Sequence, residues 1–365
     1  MELTKCKLGE LITQRREKND GSDLPICGVS KDGLIPPKQK DADTSIYNVF
    51  YRDDFIFNPA RMELNSIAIN DMYDRAICSS LYEVFYVHRT DLLLPHYLKL
   101  IIRQKWFTRY CEFLGQGSAR EYCRFGNISE IEIEFPPIKE QQKIVDYNTA
   151  IENRIALKQK INDNLLDSVQ AIFRSWFVDY DPFDGVCPSN WETGCVEDIA
   201  EFFDSMRKPL SSLERTDMER IYPYYGAVSI VDYVDDYIFD GEYLLVSEDG
   251  IYVVDENGHP LIQHISGKFW ANNHAHILKG KSGFNEDSLY LFLANTNMAP
   301  IVTGAAQPKI NQANLKSFPI TIPDSETMLK FNNIIQPFFD QRLTNESEIK
   351  KLEALQSLLL TRLVD

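Results

Sequence analysis

Two stretches of this chain, 187 residues apart, decide how it folds. Residues 117–137 read GSAREYCRFGNISEIEIEFPP, and residues 304–324 read GAAQPKINQANLKSFPITIPD. Each begins in a glycine-containing loop, crosses a short polar stretch and ends in alternating apolar residues before proline. This order predicts a loop followed by a strand. A repeat with a period of about half the chain predicts two similar globular parts.

A long helical pattern follows each repeat. Residues 138–180 carry apolar residues at spacings of three and four, without glycine or proline, and roughly 40 helical residues would measure about 60 Å. In residues 324–365, Asp324 or Ser325 is a plausible N-cap, and Pro337 should kink or break the helix. Two matched apolar stripes favour an antiparallel, coiled-coil-like pair, although ordinary core helices are the alternative.

The residues expected to pair these helices and to dock a partner are the apolar members of the two stripes. They are Ile144, Ile151, Ile155, Ile161, Leu165, Ile172, Trp176, Phe338, Leu343, Ile349, Leu352 and Leu359.

The sequence therefore predicts a mixed α+β protein with a pseudo-twofold repeat. Residues 1–137 form a first globular domain and residues 138–180 a spacer helix. Residues 181–323 form a linker with a second globular domain, and residues 324–365 a second spacer helix. A duplicated globule on a duplicated helix suits a two-part target, such as paired half-sites on DNA. The pattern alone does not separate DNA from another two-part target.

Composition excludes several classes of protein. There are 38 Lys and Arg against 54 Asp and Glu, and the net charge of −16 disfavours a free-standing nucleic-acid binder, although local patches can differ. Seven cysteines without a C-x-x-C pair argue against a disulfide framework and a cysteine-rich zinc site. No apolar run reaches 18 residues and no signal-peptide pattern opens the chain, so we expect a cytoplasmic protein without a membrane span.

Several segments resemble one known family. Residues 135–145 (FPPIKEQQKIV) are similar to the PLPPLxEQxxIV junction of type I restriction–modification specificity (S) subunits, and residues 171–179 (AIFRSWFVD) resemble the end of their central helix. Residues 221–227 (IYPYYGA), 248–250 (EDG) and 270–276 (WANNHAH) resemble segments of their second recognition domain. The resemblance covers both helices and most of residues 190–323, and it is weaker over residues 1–115.

The resemblance implies a function without catalysis on this chain. Two target recognition domains would each read one half of a bipartite double-stranded DNA sequence. The helices would fix the gap and dock two methyltransferase (M) subunits, and two restriction (R) subunits would add ATP-driven translocation and cleavage. S-adenosylmethionine, ATP and Mg would then belong to the partners. The second helix ends at Leu363-Val364-Asp365, so no contact from a longer tail is expected.

Basic residues and the two glycine loops are the candidates for DNA contact. Arg, Lys and Gln supply donors for phosphates and base edges, and glycine lets the backbone approach a ligand closely. The candidates are Arg15, Arg16, Lys38, Gly117, Ser118, Arg120, Tyr122, Arg207, Lys208, Gln307 and Lys309. Each could instead be a surface charge or part of a structural turn. Arg120 and Gln307, which differ at matched positions, would fit two different half-sites.

Three histidines raise the question of a metal. His274 and His276 would point to one face of a strand, and His264 precedes them by ten residues. No acidic or thiolate ligand is spaced to complete a site, so packing or hydrogen bonding is favoured over zinc.

Motifs for catalysis are missing from the sequence. A methylase needs an N-P-P-Y or D-P-P-Y loop, and Asp181-Pro182-Phe183 lacks the second proline. A P-loop is absent, and Glu248-Asp249-Gly250 has no closely following lysine that would complete a nuclease site. Two alternatives stay open: the recognition portion of a combined restriction and methylation enzyme, and a DNA-independent scaffold for methyltransferase-like partners.

Overall fold

The computed structural model describes residues 3–31, 33–37, 43–115, 122–250, 253–304 and 306–361. The chain divides into two compact units. Unit 1 comprises residues 1–158 and 348–365, and unit 2 comprises residues 159–347. Each unit therefore contains part of both long helices.

The first globular part, in unit 1, is built from short strands and three helices. Its strands are β1 (Thr4–Lys7), β2 (Ile12–Arg15), β3 (Ile26–Ser30), β4 (Gly33–Ile35), β5 (Asn48–Tyr51), β6 (Phe55–Phe57), β7 (Ile67–Ile69), β8 (Arg75–Cys78), β9 (Glu83–Val87) and β10 (Glu132–Phe135). Its helices are α1 (Pro95–Ile102), α2 (Lys105–Gly115) and α3 (Phe125–Ser129), with 3-10 turns at Leu8–Glu10, Thr44–Ile46 and Pro59–Leu64.

The long helices and the second globular part follow. The helices are α4 (Ile138–Phe177), α5 (Val196–Ile199), α6 (Ser212–Thr216), α7 (Glu286–Ala294), α8 (Gln312–Lys316) and α9 (Ser325–Thr361). The strands are β11 (Glu192–Cys195), β12 (Ala200–Phe202), β13 (Tyr222–Tyr225), β14 (Ile230–Val234), β15 (Phe239–Ser247), β16 (Ile262–Ala271), β17 (Ala275–Gly280) and β18 (Pro319–Ile322). The 3-10 turns of this part lie at Asp181–Phe183, Asp204–Met206 and Ala299–Ile301.

Strand pairing repeats between the units. In unit 1, β1 pairs antiparallel with β10, and two four-stranded sheets have the orders β2-β9-β6-β7 and β4-β3-β8-β5. In unit 2, β11 pairs antiparallel with β18, and one sheet has the order β12-β17-β15-β16-β13-β14. A parallel pair occurs in each, β3 with β8 and β13 with β16. The mixed α+β class and the repeat expected from the sequence are confirmed.

The alternation noticed in the sequence has the expected physical cause. In β10, Ile133 and Phe135 are buried while Glu132 and Glu134 are exposed, as a strand with one covered face requires. Lys5 on the paired strand β1 lies 3.4 Å from both glutamates. The covered face joins the core of unit 1, which also contains Phe55, Phe85 and other aromatic residues.

The core of unit 2 uses the long helices directly. Val169 and Phe173 of α4 and Phe331 of α9 are buried in it beside residues of α7 and the sheet. The ring of Phe177 lies 4.7 Å from those of both Phe292 and Phe331, measured between centroids. Aromatic packing of this kind contributes beyond the buried area and holds the end of α4 against the start of α9.

The two long helices run antiparallel where they meet within each unit. In unit 1, Gln356 donates to Asn148 at 3.1 Å, and Lys158 lies 2.7 Å from Glu348. In unit 2, Asn345 donates to Asn162 at 2.7 Å. All twelve apolar residues expected on the paired stripes are half-buried. No helix in the described ranges combines the length and apolar character that crossing a membrane would require.

Helix α9 begins where the sequence predicts its N-terminus, but its interior is more regular than Pro337 predicts. Asp324 is the N-cap, because its Oδ1 accepts the backbone N–H groups of Glu326 and Thr327. The sequence predicts a kink or a break at Pro337. The helix does not break there, since α9 is continuous through that residue. Ile335 and Phe339 on either side are buried in the core of unit 2, and this packing offsets the hydrogen bond that proline cannot donate.

A buried carboxyl lies between α7 and the sheet. Asp287 is 4% exposed, and burial, with the negative charges of Glu242 and Asp340, raises its pKa to about 7. His264 lies 3.6 Å away, but burial and the charge of Arg342 lower its pKa to about 4. The two groups are therefore both neutral over most of the range between pH 4 and 7, and they do not form a charged pair there.

We expect Asp287→Asn to stabilise the chain at pH 8 by about 2–4 kcal/mol. The folded-state pKa lies above the ordinary value of 3.8. The penalty for ionising this carboxyl therefore grows as the pH rises from about 4 to about 7 and is complete above that. Thermal unfolding at pH 5 and pH 8 measures the effect, with the exposed Asp235→Asn as control. A gain of equal size at both pH values would contradict the explanation.

Candidate nucleic-acid interface

A cavity of about 530 Å³ in unit 1 brings together distant parts of the chain. Its walls come from the segment after β2, the segment after β6, the turn between β8 and β9, and the segment before α3. The lining residues are Gln14, Arg15, Arg16, Lys18, Asn48, Asn58, Pro59, Ala60, Ser80, Leu81, Tyr82, Glu83, Tyr122 and Arg124. Three residues expected to contact DNA, Arg15, Arg16 and Tyr122, thus lie at one site.

Arg15 differs from the other cations of this cavity. Its Nε donates to Asp54 at 2.6 Å, and its guanidinium lies over the rings of Tyr51 and Tyr86. Burial opposes the charge of Arg15, but the hydrogen bond that Arg15 donates to Asp54 and the nearby negative charges together outweigh burial and raise the pKa of the guanidinium. Most of its hydrogen-bonding edge is therefore occupied within the protein.

The remaining cations are more accessible. Arg16 and Lys18 are exposed, and Arg124 stands over the half-exposed ring of Tyr122 at 5.6 Å. Lys18 donates from its ammonium group to the carbonyl of Ile46 and to Asn48, which holds this charge at the cavity wall. Arginine and lysine beside an aromatic ring are suited to phosphates and bases.

A larger cavity of about 1200 Å³ adjoins the first one in unit 1. The two share Asn58, Leu81 and Tyr82 as lining residues. The larger cavity adds three cationic side chains to the same region, namely Lys31, Arg61 and Arg103.

Glu83 ties the start of α3 to the sheet. Its Oε2 accepts the backbone N–H of Phe125 at 2.7 Å, and its carboxylate also accepts from Gln14 and lies 3.3 Å from Arg124. Glu83 therefore anchors the end of the glycine-containing loop that precedes α3. Four of the expected contact residues, Lys38, Gly117, Ser118 and Arg120, lie outside the described residues.

The corresponding loop of unit 2 is closed at its base. Thr303 and Lys309 exchange two backbone hydrogen bonds of 2.8 Å, and Gln307 is exposed at the tip. Gly304 has φ +85°, and a Cβ there would lie 2.3 Å from the carbonyl oxygen of Gln307. Gly304 therefore has a structural reason to be glycine, because a side chain would not fit this turn.

Arg207 lies in a buried ionic network below this loop. Its guanidinium lies 2.6 Å from Glu248 and 3.3 Å from Asp204, and it donates to the carbonyl of Ala275. Lys309 lies 2.9 Å from the other oxygen of Glu248. Lys208, the neighbour of Arg207, is exposed. The side chain of Arg207 is thus turned into the protein, while Lys208 and Gln307 face solvent.

His276 connects the network to the loop. Its Nδ1 lies 2.6 Å from Asp204, and its Nε2 lies 2.8 Å from the carbonyl oxygen of Ile310. Both partners accept hydrogen bonds, so the geometry suits a ring that donates from both nitrogens. The register of β2 with β9 and of β12 with β17 places Glu83 and His276 at equivalent positions. The same strand position thus anchors the loop in each unit.

Both acids of the network stay ionised despite their burial. Burial acts to raise the pKa of Glu248, but hydrogen bonds from Lys309 and Arg207 outweigh it and lower the pKa. Burial likewise opposes ionisation of Asp204, and the hydrogen bond and charge of His276 lower its pKa. Two cations and a histidine therefore balance two carboxylates.

Three side chains of this network form the one cluster of possible metal ligands in the described part of the chain. Donor atoms of Asp204, Glu248 and His276 lie within 4.8 Å of one another. The Arg207 guanidinium already contacts both carboxylates, so an ion would have to displace it. His274 lies 2.7 Å from Asp249, and His264 packs against the rings of Tyr290 and Phe339.

The model of the type I restriction modification DNA specificity domain matches twice, over residues 6–167 and 188–355. The chain belongs to the type I restriction–modification specificity family. The two matches cover both units of the structure, so the repeat found in the sequence is a repeat of the specificity domain.

Individual relatives agree with this assignment. A putative type I restriction enzyme specificity subunit of Haemophilus influenzae is 39% identical over 128 residues, which are 35% of this chain and 32% of that protein. The MjaIX specificity subunit of Methanocaldococcus jannaschii is 23% identical over 299 residues, 75% of this chain and 69% of that protein. The match to the first relative thus spans about a third of its length.

A solved structure shares the fold. The S subunit of a type I restriction–modification system from M. genitalium superposes with a TM-score of 0.60 and 14% identity. The superposition covers 99% of this chain and 96% of that one.

Sequence reasoning missed several residues of the specificity domains. Glu83 and Leu81 line the unit 1 cavity, yet no motif surrounds them, and Arg124 lines it from within the repeat at residues 117–137. Only an alignment of the strands of the two repeats, in which Glu83 is equivalent to His276, could have indicated Glu83.

We expect Arg207→Ala to destabilise unit 2 by about 3 kcal/mol, because it leaves two buried carboxylates without a shared cation. Arg220→Ala is the matched control, since Arg220 lies on the surface 3.6 Å from Asp232 and should change stability little. Urea unfolding of both variants measures the difference. Equal losses in the two variants would show that the network does not hold unit 2 together.

Proposed function

We propose that this chain is a non-catalytic DNA recognition subunit in which each unit reads one half of a bipartite double-stranded target. The observation that carries the proposal is the repeat of the specificity domain with different side chains at equivalent places. At the offset of 187 residues, Tyr122 and Arg124, which border the site in unit 1, correspond to Lys309 and Asn311 in unit 2. Equivalent loops with different donors suit two different half-sites.

The acidic composition is compatible with this function. Seven cationic residues and two carboxylates, Glu63 and Glu83, line the two adjoining cavities of unit 1, so the local field there differs from that of the whole chain. Methyltransferase partners would supply most phosphate contacts, which provide affinity without sequence information. This chain would then contribute base readout in both halves.

We further propose that the paired helices fix the gap between the half-sites and dock two methyltransferase subunits, with two restriction subunits joining the complex. The twelve stripe residues are half-buried in the protein. Other apolar side chains of α4 and α9 in unit 1 are exposed, namely Tyr147, Leu157, Leu355 and Leu358. Exposed apolar residues on long helices are the surface that a partner would cover.

The complex, and not this chain alone, would be the enzyme. S-adenosylmethionine would bind the methyltransferase partners, and ATP and Mg the restriction partners. This proposal leaves no cofactor on the specificity subunit and places the complex in the cytoplasm, where its DNA substrate is found.

The test is co-expression of the chain with its methyltransferase subunit, followed by single-molecule mapping of methylated bases in the host genome. We expect a bipartite motif with a methylated adenine in each half. Exchanging residues 1–137 for those of another specificity subunit should change one half only, because the other half is read by unit 2. A change in both halves would refute separate reading, and a stable complex without methylation would favour the scaffold alternative.

We expect Leu157→Glu to reduce co-purification of the methyltransferase subunit at least tenfold, because a charge placed in an apolar interface is desolvated without a partner. Leu213→Glu is the matched control, since Leu213 is also an exposed leucine and lies on the short helix α6. Pull-down from co-expressing cells, with unfolding temperatures of both variants, measures the effect. Unchanged recovery with Leu157→Glu would exclude this face of α4 as the docking surface.

A further inference from the structure

The turn between β8 and β9 carries a side chain that the protein itself does not cover. Leu81 is 79% exposed, the highest exposed fraction of any large apolar side chain described in unit 1. A single exposed leucine is ordinary on a protein surface. The residues that surround Leu81 distinguish it from an ordinary exposed leucine.

Leu81 lies between two groups of cations. It lines both cavities of unit 1, the smaller with Arg16, Lys18 and Arg124 and the larger with Arg61 and Arg103. The chain as a whole has a net charge of −16, so this concentration of positive charge is local. An apolar tip among cations suits a ligand that is polyanionic outside and apolar in part, as a DNA groove is.

Hydrogen bonds hold the turn in one conformation. The backbone N–H of Tyr82 donates to the carbonyl of Ser79 at 3.0 Å, and the N–H of Leu81 donates to the Ser79 hydroxyl at 3.3 Å. The side chain of Asn48 donates to the carbonyl of Tyr82 at 2.7 Å, and Lys18 donates to the same Asn48. A preorganised tip loses little entropy when it enters a groove.

The equivalent turn of unit 2 has different chemistry. The parallel registers of β3 with β8 and of β13 with β16 make Cys78 of unit 1 equivalent to Ala271 of unit 2. Leu81 is therefore equivalent to His274. His274 is exposed and lies 2.7 Å from Asp249. One tip is therefore apolar, and the other carries a hydrogen-bonding ring.

We propose that Leu81 is a specificity-determining residue of unit 1 that contacts the C5 methyl group of a thymine in its half-site. A leucine side chain has no donor or acceptor, so it cannot read the hydrogen-bonding pattern of bases. The thymine methyl is the apolar feature that base pairs present in the major groove. This inference rests on the proposed function, since it requires that unit 1 reads DNA.

The test uses the full chain in complex with its methyltransferase subunit and duplexes that contain the mapped target. Each thymine of the half-site read by unit 1 is replaced in turn by deoxyuridine, which removes only the methyl group. At one position the wild-type complex should lose affinity about fourfold, the effect expected for one buried methyl. The Leu81→Ala complex should bind the unmodified duplex about four- to tenfold more weakly and should not weaken further at that position.

Leu213→Ala is the matched control, because Leu213 is 81% exposed and lies in unit 2 away from both cavities. It should retain the wild-type response to every deoxyuridine. The unfolding temperature of Leu81→Ala should equal that of the wild type, since the side chain is exposed, so a loss of affinity is not a loss of folding.

Two results would overturn the inference while the proposed function stands. One is a bipartite target at which deoxyuridine never weakens wild-type binding. The other is a loss in Leu81→Ala that adds to every deoxyuridine effect, which would indicate a contact without base preference. A wild-type complex with no bipartite target would instead overturn the proposed function together with this inference.

Discussion

The antiparallel pairing of α4 with α9 is the interaction on which both units depend, because each unit contains part of both helices. Apolar side chains supply most of the contact, but they tolerate sliding along the helix axis. Asn148 and Asn345 are buried, and their amide partners Gln356 and Asn162 stand directly across. A shift of one turn would leave these amides unsatisfied, so they fix the register. In the proposed function these helices set the gap between two half-sites, and that role requires a fixed register.

In each unit a side chain at the equivalent strand position holds the loop, but it contacts an N–H group in unit 1 and a carbonyl group in unit 2. Glu83 accepts from a backbone N–H before α3, whereas His276 faces a backbone carbonyl before α8. The scaffold therefore specifies where the loop is held, and the identity of the anchor follows the backbone group that the loop presents. This arrangement lets the exposed side chains of the loop vary without changing its support. Two surfaces with different side chains can thus be carried by one repeated architecture.

The local sequence pattern was enough to predict those elements that depend on residues close together in the chain. The alternation in β10, the N-cap at Asp324 and the apolar stripes of α4 and α9 were all predictable, because each depends on neighbours a few residues away. The site was less predictable. Arg207 looked like a surface cation, and only the fold shows that Glu248 and Asp204 converge on it. Pro337 should have disturbed α9, and tertiary packing of Ile335 and Phe339 outweighs its local preference.

The net charge of −16 is compatible with the proposed DNA-reading surface for a physical reason. At physiological salt, charges separated by more than about 8 Å are largely screened. A phosphate near Arg16, Lys18 or Arg124 therefore responds to these cations and much less to distant acids. Exposed acids elsewhere on the chain repel DNA where they lie close to it, which disfavours binding in other orientations. In the proposed function, a basic site on an acidic chain thus gives a lower total affinity for DNA but a defined orientation, and the phosphate contacts of the proposed partners would offset the lower affinity.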